Sequence, residues 1–278
     1  MTKVALITGT STGMGLNTAV ELARRGHDVV ATMRDTTRGD ALRSAAANAG
    51  VELDVRRLDV TDPEGARACV DAVLADHGRI DVLLNNAGRG AVGSAEMLDM
   101  EEIRAQLEVN YLGPVQLTKL VLPAMRAAGS GRILTITSVG GAVGQPFADA
   151  YCGAKFAVEG FMQSLAPVAQ HLGVWVSVIE PAAVASEFFA NVDRPNFTGG
   201  PYDDLLGSYL HRTAGAFANA QSAVSAAEAI ADAVTSTTYR FRWQTSPAAT
   251  AFVGMSLADL DGEGVLAATR TWIAAAPS

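Results

Sequence analysis

The chain has 278 residues, 49% of them hydrophobic, with 27 glycines and a formal net charge of −8. That length is ample for a sizeable buried core, and the acidic balance argues against a nucleic-acid or anionic-membrane surface. Two cysteines (Cys69 and Cys152) are too few for a disulfide framework, no apolar run reaches membrane-spanning length, and the first residues lack the long apolar region of a signal peptide, so a cytoplasmic protein without a membrane span is expected.

Residues 3–8 (KVALIT) are a short β-branched run of the kind expected for a buried parallel strand. Gly9, Thr10, Ser11, Thr12, Gly13, Met14 and Gly15 follow and open a helical pattern to Arg25, with Gly26 placed to cap it. A strand, a glycine-rich turn and a helix start make an anion cradle. Backbone N–H groups and the helix dipole point at a pyrophosphate, and the glycines let it come close. A second strand at 28–33 ends at Arg34. In dinucleotide sites an acidic residue here binds a ribose 2′-hydroxyl, whereas an arginine accommodates a 2′-phosphate. No acid occurs before Asp35, so the sequence favours NADP(H), with Arg34 and Thr12 near the phosphate. The alternative is that Arg34 is a solvated loop residue and Asp35 reads the ribose of NAD(H).

Further strands are predicted at 51–58, 81–84, 132–137 and 175–179. They alternate with helical patterns at 41–50, 63–77, 96–128 and from Tyr151 to about Leu172. This alternation implies an α/β fold: a doubly wound, mostly parallel, Rossmann-like sheet with helices on both faces, as a single domain over 1–278. Ligands in such sheets bind at the carboxyl ends of the strands. The glycine turn, Asp59, Asn85, Ser138 and Pro181 all fall at those ends. Beyond Pro181, residues 185–215 mix aromatics, prolines and glycines, and read as an irregular substrate lid in which Phe188 is a candidate contact. A helix at 221–236 and an edge strand at 240–243 complete the pattern.

The chemistry concentrates in residues 137–156 (TSVGGAVGQPFADAYCGAKF). On a helix Lys155 lies one turn beyond Tyr151 on the same face. A neighbouring ammonium favours the phenolate, which would lower the Tyr151 hydroxyl from its ordinary value toward a useful acid or base. Ser138, ending an apolar run, is placed to hydrogen-bond the same reacting oxygen. Gly140, Gln145 and Phe147 lie in the connecting loop and are expected to form a wall of the substrate pocket. The four histidines (His27, His77, His171 and His211) lack metal-ligand spacing, so no metal site is expected.

The ordered motifs resemble the short-chain dehydrogenases/reductases over nearly the whole chain. They are T-G-x-x-x-G-x-G at 8–15, Asp59-Val60, N-N-A-G at 85–88, Asn110, Ser138 and Y-x-x-x-K at 151–155. Residues 31–35 (ATMRD), Val139-Gly140-Gly141, Gln145-Pro146-Phe147, Tyr151-Cys152, Lys155-Phe156-Ala157 and Glu159-Gly160 are most similar to the 17β-hydroxysteroid and retinol dehydrogenase branch. The resemblance implies hydride transfer between a nicotinamide cofactor and a carbonyl or secondary alcohol of a small apolar substrate. It makes Tyr151 the acid/base, and Lys155 its helper and a holder of the nicotinamide ribose. Ser138 would orient the carbonyl and Asn110 would position a water. Asp59 and Val60 would meet the adenine, with Asn85, Ala87 and Gly88 beside the cofactor. Val184 would contact the carboxamide, with Pro181 and Ser186 nearby. The family commonly has Pro-Gly followed by a threonine after the sixth strand; here Pro181-Ala182 and Ser186 depart from that pattern. A homodimer or homotetramer is also implied. The rival reading is a non-catalytic cofactor-sensing protein on the same fold.

Overall fold

The computed structural model describes residues 2–187, 200–258, 267–268 and 271. Its strands are β1 (Val4–Thr8), β2 (Asp28–Met33), β3 (Asp54–Arg57), β4 (Val82–Asn85), β5 (Gly131–Ile136), β6 (Val174–Glu180), the short β7 (Val184–Ala185) and β8 (Gln221–Ser222), and β9 (Arg242–Gln244). Seven of these form one sheet in the order β3-β2-β1-β4-β5-β6-β9, and each adjacent pair is parallel. β7 and β8 pair separately. The order reverses between β1 and β4, which makes the crevice at their carboxyl ends the switch point of the fold.

The helices are α1 (Gly13–Arg24), α2 (Asp40–Ala49), α3 (Pro63–His77), α4 (Met100–Leu107), α5 (Gly113–Ala128), α6 (Asp149–His171), α7 (Asp203–Ala218), α8 (Ala223–Thr235) and α9 (Pro247–Leu257). Their starts follow capping chemistry. The Asp62 side chain accepts from Gly65 N at 3.0 Å, with Pro63 at the first helical position, and Asp99 accepts from Glu102 N at 2.7 Å. α2 and α3 end on Gly50 and Gly78, whose φ values of 66° and 74° suit a residue without a Cβ. Burial covers the sheet on both faces. Leu6, Val30, Leu83 and Val176 join α3, α5 and α6 in one core, and Ile7, Val29, Leu84 and Ile179 join α1, α2 and α8 in the other. The expected doubly wound sheet is therefore the one observed.

Three local expectations change. β3 begins at Asp54, because Val51 N is taken by Ala46 O at 3.0 Å in closing α2. The helical region expected from Glu96 begins at Met100, where Asp99 supplies the cap. The second half of the expected irregular lid is instead α7, a helix of 16 residues, which packs Tyr209 on Phe147 with ring centroids 5.6 Å apart. Phe188 and residues 189–199 lie outside the described residues.

Candidate active site

The glycine turn is built as a cradle. Gly9 and Gly13 have φ values of 71° and 60°, and a Cβ at Gly15 would stand 2.3 Å from both Gly9 O and Asn86 Nδ2. α1 starts after Thr12 with no side-chain cap and no acid in its first turn, so its leading N–H groups stay available to an anion. Ser11 is half-buried beside them, and the Met14 side chain packs into the core, which leaves its backbone to the cradle. Asn86 locks the turn to β4: its Nδ2 donates to Thr8 O at 2.8 Å and Gly9 O at 2.9 Å. The N–H groups of Asn86 and Ala87 both donate to Thr8 Oγ1 at 3.0 Å. Asn85 instead faces into the sheet, 2% exposed, and donates to Thr135 Oγ1 at 3.2 Å. The motif's second asparagine thus supports the turn, and its first ties β4 to β5.

At the end of β2, Arg34 is exposed and makes no ion pair among the described residues. Asp35 is engaged locally, accepting from Thr37 N at 2.9 Å and Thr37 Oγ1 at 2.6 Å. Those hydrogen bonds hold its carboxyl below the usual carboxylate range. Asp59 likewise accepts from Thr61 N at 2.9 Å and Thr61 Oγ1 at 2.8 Å, and Val60 is buried against Gly113. Ser186 stands over the cradle: a Cβ at Gly13 would lie 3.2 Å from Ser186 Cβ. Val184 is buried in β7. The alanine after Pro181 needs no special backbone, since Phe147 is the one described non-glycine residue with positive φ, and Ala182 packs with Val139 and Val143.

Ser138 sits where β5 gives way to a short turn, its Oγ accepting from Gly140 N at 3.0 Å. Tyr151 is in the first turn of α6 and is hydrogen-bonded with Ser138. A Cβ at Gly140 would stand 3.1 Å from Gln145 Nε2, 3.3 Å from Tyr151 Cε1 and 3.4 Å from Cys152 Sγ, so these residues converge there. Lys155 is 4% exposed, donates from Nζ to Ile136 O at 2.9 Å, and lies 5.7 Å from the Tyr151 ring centroid. Burial pushes the Tyr151 hydroxyl above the ordinary phenol range, and the Ser138 hydrogen bond works against it. This corrects the lowering expected from the ammonium alone. Burial also pulls Lys155 down to about 8, opposed by the Glu159 carboxylate.

Asn110 lies in a π-helical turn (Glu108–Leu112) between α4 and α5. Such turns in a helix frequently mark functional positions. Its Nδ2 donates to Arg89 O at 2.9 Å and to Gln106 Oε1 at 3.0 Å, and its Oδ1 accepts from Arg89 N at 3.3 Å. A Cβ at Gly88 would stand 3.1 Å from Asn110 Oδ1 and 3.7 Å from Lys155 Nζ, so that glycine is what lets the amide and the ammonium approach. Gln106, fully buried, donates to Glu102 Oε1 at 2.7 Å, and Arg89 pairs with Glu102 Oε2 at 2.7 Å. Sequence reasoning missed Asn86, Gln106 and Tyr209. The i, i+4 spacing of Glu102, Gln106 and Asn110 was the available signal for the second.

Among the described residues no helix is long and apolar enough to cross a membrane, and no group of three or more His, Cys, Asp or Glu residues is arranged to hold a metal ion. The short chain dehydrogenase family model matches residues 3–196. Human retinol dehydrogenase 8 is 40% identical over 205 residues, which cover 71% of this chain and 65% of that protein. Rat estradiol 17-beta-dehydrogenase 1 is 42% identical over 207 residues, covering 71% of this chain and 57% of that one. The match thus spans less than two thirds of either relative. A short-chain dehydrogenase from Streptomyces avermitilis superposes with a TM-score of 0.81 at 31% identity, over 94% of both chains. A short-chain dehydrogenase/reductase from Burkholderia phymatum in complex with NAD gives 0.82 at 25% identity, over 94% of this chain and 95% of that one. An actinorhodin polyketide ketoreductase with NADPH gives 0.76 at 29% identity, over 87% and 95%. The chain belongs to the short-chain dehydrogenase family.

Proposed function

From that membership and the convergence of Ser138, Tyr151, Lys155 and Asn110 beside a phosphate cradle, we propose that the protein is an NADP(H)-dependent oxidoreductase. It interconverts a carbonyl and a secondary alcohol on a small apolar substrate. The observation that carries the reading is the Ser138–Tyr151 hydrogen bond, with Lys155 buried one turn away. A bound nicotinamide would supply or accept the hydride. Tyr151 delivers the balancing proton to the substrate oxygen during reduction and takes it back during oxidation. Its burial keeps the phenol protonated, the form required for reduction. Ser138 Oγ holds the same oxygen. Lys155 holds ribose hydroxyls and supplies positive charge beside the phenol. Asn110, fixed by Arg89 and Gln106, presents its carbonyl oxygen toward Lys155 through a water.

The cradle fits a dinucleotide because its glycines clear the path and the first turn of α1 carries no acid. Preference for the 2′-phosphate rests on an exposed Arg34, without an ion pair among the described residues, beside an Asp35 that is bound to its own turn. The substrate wall is apolar: Val92, Phe147 and Tyr209 are buried together, with Met97, Tyr202, Leu206 and Leu210 against them. Gly140 and Gln145 border the reacting end. Leu112, Phe156 and Val168 are exposed on the outer helices at 42%, 46% and 61%, a surface suited to pairing two copies.

The test is turnover of a panel of apolar ketones with NADPH and with NADH, followed by nicotinamide absorbance. Reduction with NADPH preferred supports the reading. Tight cofactor binding without turnover of any carbonyl would replace it with a cofactor sensor.

A further inference from the structure

Beneath the site lies a set of buried charges that the proton-transfer scheme does not use. Tyr151, Lys155 and Glu159 recur at four-residue intervals along α6 and share a face. Glu159 is 3% exposed, and Glu180, at the end of β6, is fully buried. Arg242 Nη1 on β9 donates to Glu159 Oε2 and to Glu180 Oε1, and Gln244 Nε2 donates to Glu180 Oε2. The other Glu159 oxygen, Oε1, lies against Gly141, where a Cβ would stand 2.4 Å away, and finds no donor. The nearby Thr137 hydroxyl spends its proton on Ile179 O at 3.0 Å.

Two buried carboxylates around one guanidinium leave one negative charge over. An unbalanced charge in an interior is costly, and the usual remedy is a second cation. Lys155 is the one buried cation among the described residues, at 4% exposure, and its Nζ donates to an uncharged carbonyl. Around Lys155 stand Tyr151 and Cys152 on its own helix, the Asn110 amide and the Ile136 carbonyl; around Glu159 stand Thr137, Glu180, Arg242 and Gln244. Burial and the neighbouring Glu180 push the Glu159 carboxyl above the usual carboxylate range, and the Arg242 contact opposes them. With both carboxylates ionised, Lys155, Glu159, Arg242 and Glu180 together carry no net charge.

We propose that the Glu159–Arg242–Glu180 cluster is the buried counter-charge of Lys155, with Glu159 as the positioning residue that keeps the lysine an ammonium beside Tyr151. Gly141 is part of the device, because only the absence of a side chain there admits the carboxylate. Its functional meaning rests on the proton-transfer role given to Lys155 above, but the charge balance can be read without turnover.

Lys3, Lys119 and Lys155 are the chain's lysines, so labelling with 13C-lysine gives three Cε signals whose titration NMR follows, with Lys155→Arg assigning the third. Glu159→Gln removes a negative charge and is expected to lower the Lys155 midpoint by about one pH unit. Glu159→Asp keeps the charge and should leave the midpoint near wild type. The double variant Glu159→Gln with Arg242→Gln leaves Lys155 balanced by Glu180 and should move the midpoint back toward wild type, which a merely structural role would not do. An unchanged midpoint in Glu159→Gln overturns the proposal, as does a double variant that falls further than the single. Should Glu159→Gln not fold, Glu180→Gln, which leaves the Glu159–Arg242 pair in place, carries the test with the same sign. A normal Lys155 titration in a protein that reduces no ketone would count against the oxidoreductase reading and not against the counter-charge.

Discussion

The two rims of the one sheet hold similar side chains and treat them differently. At the amino rim Arg132, His77, Asp28, Asp54 and Asp81 find partners within the chain. Arg132 donates to the Ser236 carbonyl at 2.6 Å and to the Val234 carbonyl, and its guanidinium lies 4.6 Å from the Trp175 ring centroid. His77 sits between Asp28 at 2.9 Å and Asp54 at 3.1 Å, and Asp81 accepts from Val4 N at 2.8 Å and from Arg79 Nε at 2.7 Å. At the carboxyl rim, among the described residues, Arg34 makes no ion pair, Asn85 Oδ1 is buried without a donor, and the first turn of α1 has no cap. Polar groups closed on one another stabilise a fold, whereas groups left directed outward from a rigid frame are available to a ligand.

Substitutions at the two rims should therefore separate into kinetic and stability effects. The largest effect is expected from Tyr151→Phe, which should lower kcat by about 10²–10⁴-fold with the melting temperature and NADPH affinity nearly unchanged. Steady-state rates beside thermal unfolding check this, and a rate close to wild type would remove Tyr151 from the proton-transfer step. At the opposite rim, Arg132→Met should cost about 2–3 kcal/mol in denaturant unfolding, because it strips donors from the carbonyls at the end of α8. Activity per folded molecule should be unaltered; a fall in kcat would blur the separation of the rims. Arg34→Ala should weaken NADPH by about tenfold while leaving NADH alone, as expected for loss of one charge-assisted contact. Fluorescence titration with both cofactors measures the ratio, and equal effects would mean that Arg34 does not read the phosphate.

The smallest effect belongs to His77→Asn and depends on pH. Burial works against protonation of His77, yet hydrogen bonds to Asp54 and Asp28 raise it above its ordinary 6.5. A raised folded value means that its contribution is fully present below the unfolded value and is lost as pH rises through the folded one. The substitution should thus cost up to about 1 kcal/mol near pH 5.5 and less near pH 8, measured by urea unfolding at each pH. A cost that grows with pH would contradict the assignment.

Much of the carboxyl rim was legible from residues alone. The six long parallel strands, the glycine turn and the Ser138, Tyr151 and Lys155 set depend on patterns within a few residues of one another. Such patterns follow from local geometry: side chains that alternate along a strand, faces that recur every turn of a helix, and turns that need glycine. α7 was not legible, because a helix held by Phe147 and Tyr209 is selected by what it covers and not by its own glycine-bearing sequence. Nor was the direction of the Tyr151 shift, since a spacing of four residues reveals the neighbouring ammonium but not the depth of burial.

By itself, then, the sequence determined the alternation of strands and helices along the chain, the glycine turn and the Ser138, Tyr151 and Lys155 set proposed to carry proton transfer, all of them short-range consequences of residue type. Only the tertiary structure decided which charges are closed and which remain open. Arg242 reaches Glu159 across 83 residues of chain, and Arg132 reaches Val234 across 102. No local periodicity records such pairings, because they arise where a strand and a helix distant in sequence come to lie a hydrogen bond apart. The balance of buried charge around Lys155 is a property of that assembly and of no single segment in it.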